Sequence, residues 1–179
     1  MVSRDVPVPR WPLSELGRRR MRAGLRQPWV RDITSIYCST EQKAIDGATI
    51  LSEHVGVPFA EVAELGENDR SATGFLPPDE FERVADEFFA RPEVSVRGWE
   101  RAVDAQARIV KAVERIAEKE NGVIAIVAHG AVGTLLYCHL AGEPIARRWD
   151  QPSNGGGHYF PFTLSPRAAL SWWQPIDQE

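Results

Sequence analysis

The stretch from Gly122 to Leu140, Gly-Val-Ile-Ala-Ile-Val-Ala-His-Gly-Ala-Val-Gly-Thr-Leu-Leu-Tyr-Cys-His-Leu, narrows the folds open to this chain more than any other. Val123 to Ala128 is a run of apolar and β-branched residues, the signature of a strand covered on both faces, as in a parallel sheet. Ala131 to Leu140 then carries the apolar spacing of a helix. A strand followed at once by a helix places His129 at the strand's carboxyl end. In open α/β sheets ligands bind at that edge, where the next helix offers free N–H groups and the positive end of its dipole to an anion. Taken alone, His129 has two readings: a strand-end histidine satisfied by a local hydrogen bond, or a group placed beside a phosphate.

The rest of the chain repeats this alternation. Pro7, Pro9 and Pro12 make the first residues irregular, because proline fixes φ and lacks a donor for a central strand. Ser14 is placed to cap a helix running through Leu16, Met21 and Leu25. Residues 33–37 read as a strand and residues 40–54 as a helix, with Ala44, Ile45, Ala48 and Leu51 on its apolar side. A short strand within 57–65, a charged loop to Pro78, and an amphipathic helix over 78–89 that covers the site from one side come next. The longest helix is expected to open at Gly98-Trp99 and to end before Asn121-Gly122. Asn154 to Gly157 is a turn, and residues 158–163 and 168–174 form a hairpin whose tryptophans suggest a covered edge. This pattern predicts one α/β domain over 1–179. The strands at 33–37 and 123–128 should be neighbours in or near the centre of a sheet with helices on both faces.

Composition excludes several functions. A chain of 179 residues, 43% hydrophobic, can bury one sizeable core. The formal net charge of −4 argues against a nucleic-acid partner, since a phosphate backbone attracts basic surfaces. Arg18, Arg19, Arg20, Arg22 and Arg26 make the first helix basic, but without interleaved aromatics they read as a solvated face. Cys38 and Cys138 have no paired spacing that would suggest zinc or a disulfide framework, and read as buried thiols. No apolar run approaches the roughly 20 residues of a membrane span, and the first residues lack a secretory pattern, so the expectation is a soluble cytoplasmic protein with no membrane partner.

Three segments share a resemblance. Val-Ala-His129-Gly130-Ala-Val, followed by Leu-Leu, resembles the second-histidine motif of the histidine phosphatase superfamily, the phosphoglycerate mutase-like fold. Ile-Tyr-Cys-Ser39-Thr-Glu-Gln-Lys43-Ala resembles its Ser-Ser-x-x-x-Arg-Ala segment, whose arginine binds the transferred phosphoryl group; here Lys43 takes that place. Lysine keeps the charge but loses the planar fork that grips two oxygens at once, so phosphate binding should be weaker. As a residue, Lys43 reads equally well as an exposed helix lysine. Glu-Leu-Gly-Glu67-Asn-Asp resembles the segment whose glutamate donates a proton to the leaving group. A carboxyl beside a phosphate has its pKa raised, as such a donor needs, although a solvated loop glutamate is the competing reading.

The resemblance implies an α/β three-layer sandwich, a mostly parallel central sheet, and a site in which His129 and Glu67 are catalytic while Ser39, Lys43 and Gly130 bind phosphate. It implies no metal and no cofactor, and a small phosphorylated molecule as partner. It also exposes a gap, because the superfamily's nucleophile is a histidine in an Arg-His-Gly motif after the first strand, and this sequence holds neither Arg-His-Gly nor Arg-His-Pro. Pro12-Leu-Ser resembles the segment just after that motif, so the motif would fall just ahead of Val2. Either the chain starts inside a longer frame, or it is a degenerate member that binds without turnover. The expected function is therefore a phosphomonoesterase impaired by its missing nucleophile; the alternative is a non-catalytic phospho-ligand or protein-binding module. Losing a central first strand would leave a sheet gap that water, a rearranged N-terminus or a second copy must fill, the last giving a homodimer.

Overall fold

The structure is a computed structural model and describes residues 6–178, so residues 1–5 of the proline-rich start lie outside the described residues. Among the described residues five α-helices, α1 (Glu15–Gly24), α2 (Gln42–Val55), α3 (Pro78–Ala90), α4 (Ala102–Ala117) and α5 (Gly130–Ala141), are interleaved with strands β1 (Ile33–Cys38), β2 (Phe59–Glu61) and β3 (Val123–Val127), α3 and α4 being consecutive. These strands form one parallel sheet in the order β2-β1-β3. Among the described residues four short strands follow: β4 (His158–Tyr159) pairs with β7 (Gln174–Pro175), and β5 (Phe162–Leu164) with β6 (Arg167–Ala169), both antiparallel.

The two-residue period of a strand divides the core into two layers. On one face Ile36, Cys38, Ala125 and Val127 pack with Ala44, Ala48 and Leu51 of α2 and with Met21 and Leu25 of the first helical segment. On the other, Tyr37, Ile124 and Ile126 pack with Ile109, Val113 and Ile116 of α4 and Val132, Leu135 and Leu136 of α5. Helices thus cover both faces, and the fold is the three-layer α/β sandwich expected. Helix α4 presents Ala102, Ala105, Ile109, Ala112, Val113 and Ile116 at helical spacing to this second layer. Both cysteines are buried free thiols. Among the described residues no helix is long and apolar enough to cross a membrane.

Several boundaries differ from the sequence reading. β1 is central, but β3 is at the sheet edge, and among the described residues no strand pairs with its outer side. The longest helix begins at Ala102 rather than at Gly98, because Arg97 (φ 52) and Gly98 (φ 83) turn the chain through the left-handed region and Trp99 is extended. Trp99 is nonetheless buried, its Nε1 donating to Thr73 Oγ1 at 2.8 Å. The C-terminal segments form two small ladders instead of one hairpin, since 158–159 pairs past 162–169 with 174–175. The basic face of α1 is only partly solvated. Arg18 pairs with Asp46 of α2 at 2.6 Å, and Arg20 donates to the carbonyls of Asn154 and Gly156, tying the glycine turn to the domain.

Ser14 caps α1 by accepting from the Gly17 N–H at 3.0 Å, and Leu135 is fully buried at the α4–α5 contact. Leu135→Ala should therefore cost about 2–5 kcal/mol through lost burial and a cavity, while Ser14→Ala should cost about 1 kcal/mol. Urea unfolding of the three proteins checks this; equal midpoints for the two variants would contradict it.

Candidate functional site

The site is assembled where β1 and β3 end side by side. Cys38 and Val127 are in register, and the next residue, Ser39, donates its N–H to the Val127 carbonyl at 3.1 Å. That bond brings Ser39 alongside His129, the N-cap residue of α5, and Ser39 Oγ lies 2.5 Å from His129 Nε2. Both side chains are buried, Ser39 completely. Ser39 Oγ in turn accepts from the Glu41 N–H at 3.2 Å, which folds the start of α2 over the imidazole.

Glu41 occupies the centre. It is the N-cap residue of α2, yet its carboxylate makes no cap bond. It reaches Lys43 Nζ at 2.9 Å, lies 3.4 Å from His129 Nε2, and accepts the Glu67 N–H at 2.9 Å. Glu67 arrives on the loop after β2 and lays its own carboxylate on the N-terminus of α5. Oε1 accepts from Val132 N at 3.1 Å and from Asn68 N at 3.2 Å, Oε2 from Ala131 N at 3.3 Å, with Arg70 3.9 Å away. Free N–H groups and the helix dipole favour a negative charge there, and in this protein Glu67 supplies it.

Arg108 of α4 fixes that loop. Its guanidinium donates to the carbonyls of Glu64, Gly66 and Glu67 and is held by the Glu100 carboxylate at 2.8 Å and 3.0 Å. Gly130, the first residue of α5, is covered by the Gln151 side chain, whose amide nitrogen would lie 2.2 Å from a Cβ there. Beside the carboxylates opens a cavity of about 200 Å³ lined by Asn68, Arg70, Phe81, Phe89, Arg147 and Asp150, among others.

The charges close on themselves. Burial would push the Glu67 carboxyl up, but Arg70, His129 and Lys43, with the Val132 N–H, outweigh it and hold its pKa below the ordinary value. Glu41 is likewise held down against burial by His129 and Lys43. For His129 desolvation is the leading effect and lowers its pKa, although Glu67 and Glu41 pull it up. Near neutral pH the imidazole is thus uncharged, and two carboxylates face two cations. As a carboxylate and a hydroxyl both sit at Nε2, this is not the serine–histidine–acid relay of acyl transfer, in which the acid holds the opposite ring nitrogen.

Of the residues singled out in the sequence, Ser39 and Glu67 each lie one hydrogen bond from the His129–Gly130 segment or its helix, and Lys43 joins them through Glu41. The direction of the Glu67 shift reflects its present partners, Arg70, His129, Lys43 and the Val132 N–H, where a phosphate beside it would act the other way. Sequence reasoning missed Glu41, Arg70 and Arg108. The spacings Glu41-x-Lys43 and Glu67-x-x-Arg70 were visible; Arg108 sat unremarked within an apolar helix pattern. The other histidines are engaged elsewhere: His139 meets Arg167, His158 Nδ1 lies 3.3 Å from Gln151 Oε1, and His54 is exposed late in α2. Among the described residues no group of His, Cys, Asp and Glu is arranged to hold a metal ion.

Comparison with solved structures finds the same fold. A mycobacterial glucosyl-3-phosphoglycerate phosphatase in complex with inorganic phosphate superposes with a TM-score of 0.76 at 20% identity, over 94% of this chain and 90% of that one. Bacillus stearothermophilus YhfR gives 0.73 at 25% identity, over 89% and 82%. An α-ribazole-5′-P phosphatase from Escherichia coli, described as putative by its investigators, gives 0.66 at 16% identity, over 96% and 86%. A search of curated protein sequences finds no match. Residues 7–158 match the histidine phosphatase superfamily (branch 1), and by that match, most of its length, the chain belongs to this superfamily.

Proposed function

We propose that this protein binds a small phosphomonoester at the junction of His129, Ser39, Lys43 and the N-terminus of α5, and that the 179-residue chain turns it over little or not at all. The observation that carries the reading is the placement of two carboxylates, Glu41 and Glu67, on the groups that would receive phosphate oxygens: the imidazole, the ammonium and the helix N–H groups. A site that holds anionic oxygens this way can exchange them for those of a ligand. Solved relatives carry inorganic phosphate and vanadate, which supports an oxyanion as the ligand class.

Binding a dianion here has a definite electrostatic cost and a definite remedy. The ligand must displace or tolerate two carboxylates, and at effective protein dielectric constants near 20 each close like-charge contact costs a few kcal/mol. Protonating His129 offsets one of these charges. In the same state Glu67, losing its N–H partners to the phosphate, would have its pKa raised and could donate a proton to a leaving group. Ser39, Lys43 and Gly130 would then line the oxygens, and Arg70 would add a fork that Lys43 lacks.

Turnover by a covalent route needs a second imidazole in line with phosphorus, and removing such a nucleophile leaves only orientation and charge stabilisation. The partners of His129 are Ser39 and Glu41, not another histidine. The alternative of a non-catalytic phospho-ligand module uses the same contacts and differs only in rate. Hydrolysis of p-nitrophenyl phosphate by the 179-residue chain should stay close to background. Brisk metal-independent release of p-nitrophenol, abolished by His158→Ala, would overturn the reading and make His158 the nucleophile.

Oxyanion binding should depend on pH through His129. Sulfate has no proton to exchange between pH 6 and 8, so its affinity should rise as pH falls, approaching about tenfold per unit while His129 takes up one proton. Glu41→Gln, which removes a competing charge, should tighten sulfate at pH 7.5 by about tenfold. Calorimetric titration reads both, and pH-independent affinity or weaker binding to the variant would contradict the assignment.

A further inference from the structure

The cavity beside the carboxylates has a chemistry of its own. Asn68 lines it and is almost fully buried, at 3% exposure, yet its Nδ2 has no hydrogen-bond partner, while its backbone N–H is taken by Glu67. A buried donor without an acceptor is costly, and in a residue that lines a cavity a turn of the side-chain amide toward that cavity would give the donor a ligand oxygen as its acceptor.

The charged groups around it are already paired. Arg147 meets Glu82 at 2.6 Å, Asp150 at 3.4 Å and Asp86 at 3.9 Å; Arg70 lies 3.9 Å from Glu67 and over the Phe81 and Trp99 rings at 5.1 and 5.6 Å. The lining holds three carboxylates, Glu67, Glu82 and Asp150, against two guanidiniums, Arg70 and Arg147. A second anionic group on the ligand would meet a net negative wall and would have to break existing ion pairs. Phe81, Ala85 and Phe89 give the remaining wall an apolar character suited to carbon atoms between polar ones. A volume of about 200 Å³ has room for roughly six water-sized groups.

Resting on the phosphate site proposed above, we infer that this cavity receives the alcohol part of the phosphomonoester, that this part is a small uncharged polyol, and that Asn68 is the specificity-determining residue donating Nδ2–H to one of its oxygens. The ligand class is a phosphomonoester with one anionic group, and carboxylated or doubly phosphorylated molecules are discriminated against.

Calorimetric titrations of the full chain with inorganic phosphate, sn-glycerol 3-phosphate and 3-phosphoglycerate test this. The two esters have leaving groups of nearly equal size, and the second carries a carboxylate. Glycerol 3-phosphate should bind about fivefold to tenfold tighter than inorganic phosphate, the value of one net hydrogen bond, and tighter than 3-phosphoglycerate. Asn68→Leu, and the isosteric Asn68→Asp in case leucine disturbs the loop, should remove the preference for glycerol 3-phosphate, read as the ratio of its affinity to that of inorganic phosphate on the same variant. Equal or tighter binding of 3-phosphoglycerate, or a glycerol 3-phosphate preference that survives both variants, would overturn the inference alone. Failure of inorganic phosphate to bind the unaltered protein would overturn the phosphate site and this inference together.

Discussion

The parallel pairing of β1 with β3 is the contact on which the rest depends. Its register ends with Cys38 against Val127 and is continued by the bond from Ser39 N–H to the Val127 carbonyl. A slip of one residue would turn Ile124 and Ile126 from the α4–α5 layer toward α2 and carry His129 away from Ser39. The packing that fixes this register therefore also sets the 2.5 Å contact between Ser39 and His129. Gly122, at φ +122 with Thr34 where a Cβ would sit, lets the chain enter β3 in that register.

Around this fixed point the chemistry is a question of charge balance in a largely buried site. Lys43 and Arg70 would be surplus positive charges beside a neutral imidazole; Glu41 and Glu67 neutralise them, and Glu67 also occupies the N–H groups at the start of α5. Arg108, held by Glu100, keeps the Glu67 loop at the right height over α5. The same arrangement explains why a lysine suffices at position 43: its partner is the Glu41 carboxylate, a single contact that a point charge satisfies, whereas a phosphate would reward a fork.

Much of this was legible in the sequence, for physical reasons. The apolar run before His129 could only be a covered strand, and the spacing of Ala44, Ala48 and Leu51 could only be a helix face, so the layers and the place of His129 at their edge were readable from pattern alone. The part that was not legible depends on contacts distant in sequence. Nothing local marks Glu41 as the partner of His129, 88 positions away by their numbers; nor does the helix pattern around Arg108 reveal three backbone carbonyls from another loop. The start of α4 was misplaced because Trp99 has the apolarity of a helix-stripe residue, while its burial comes from tertiary packing against Phe81 and Phe88.

The central claim is that desolvation, against the pull of Glu67 and Glu41, leaves His129 neutral at physiological pH, within a site already balanced by those two carboxylates. The most direct measurement is an NMR titration of the His129 ring, assigned by comparison with His129→Asn. The account predicts a midpoint below the ordinary histidine value of about 6.5, with the ring uncharged at pH 7. A midpoint above that value would mean that the two carboxylates outweigh burial and that the imidazole stands as a permanent cation, contradicting the account.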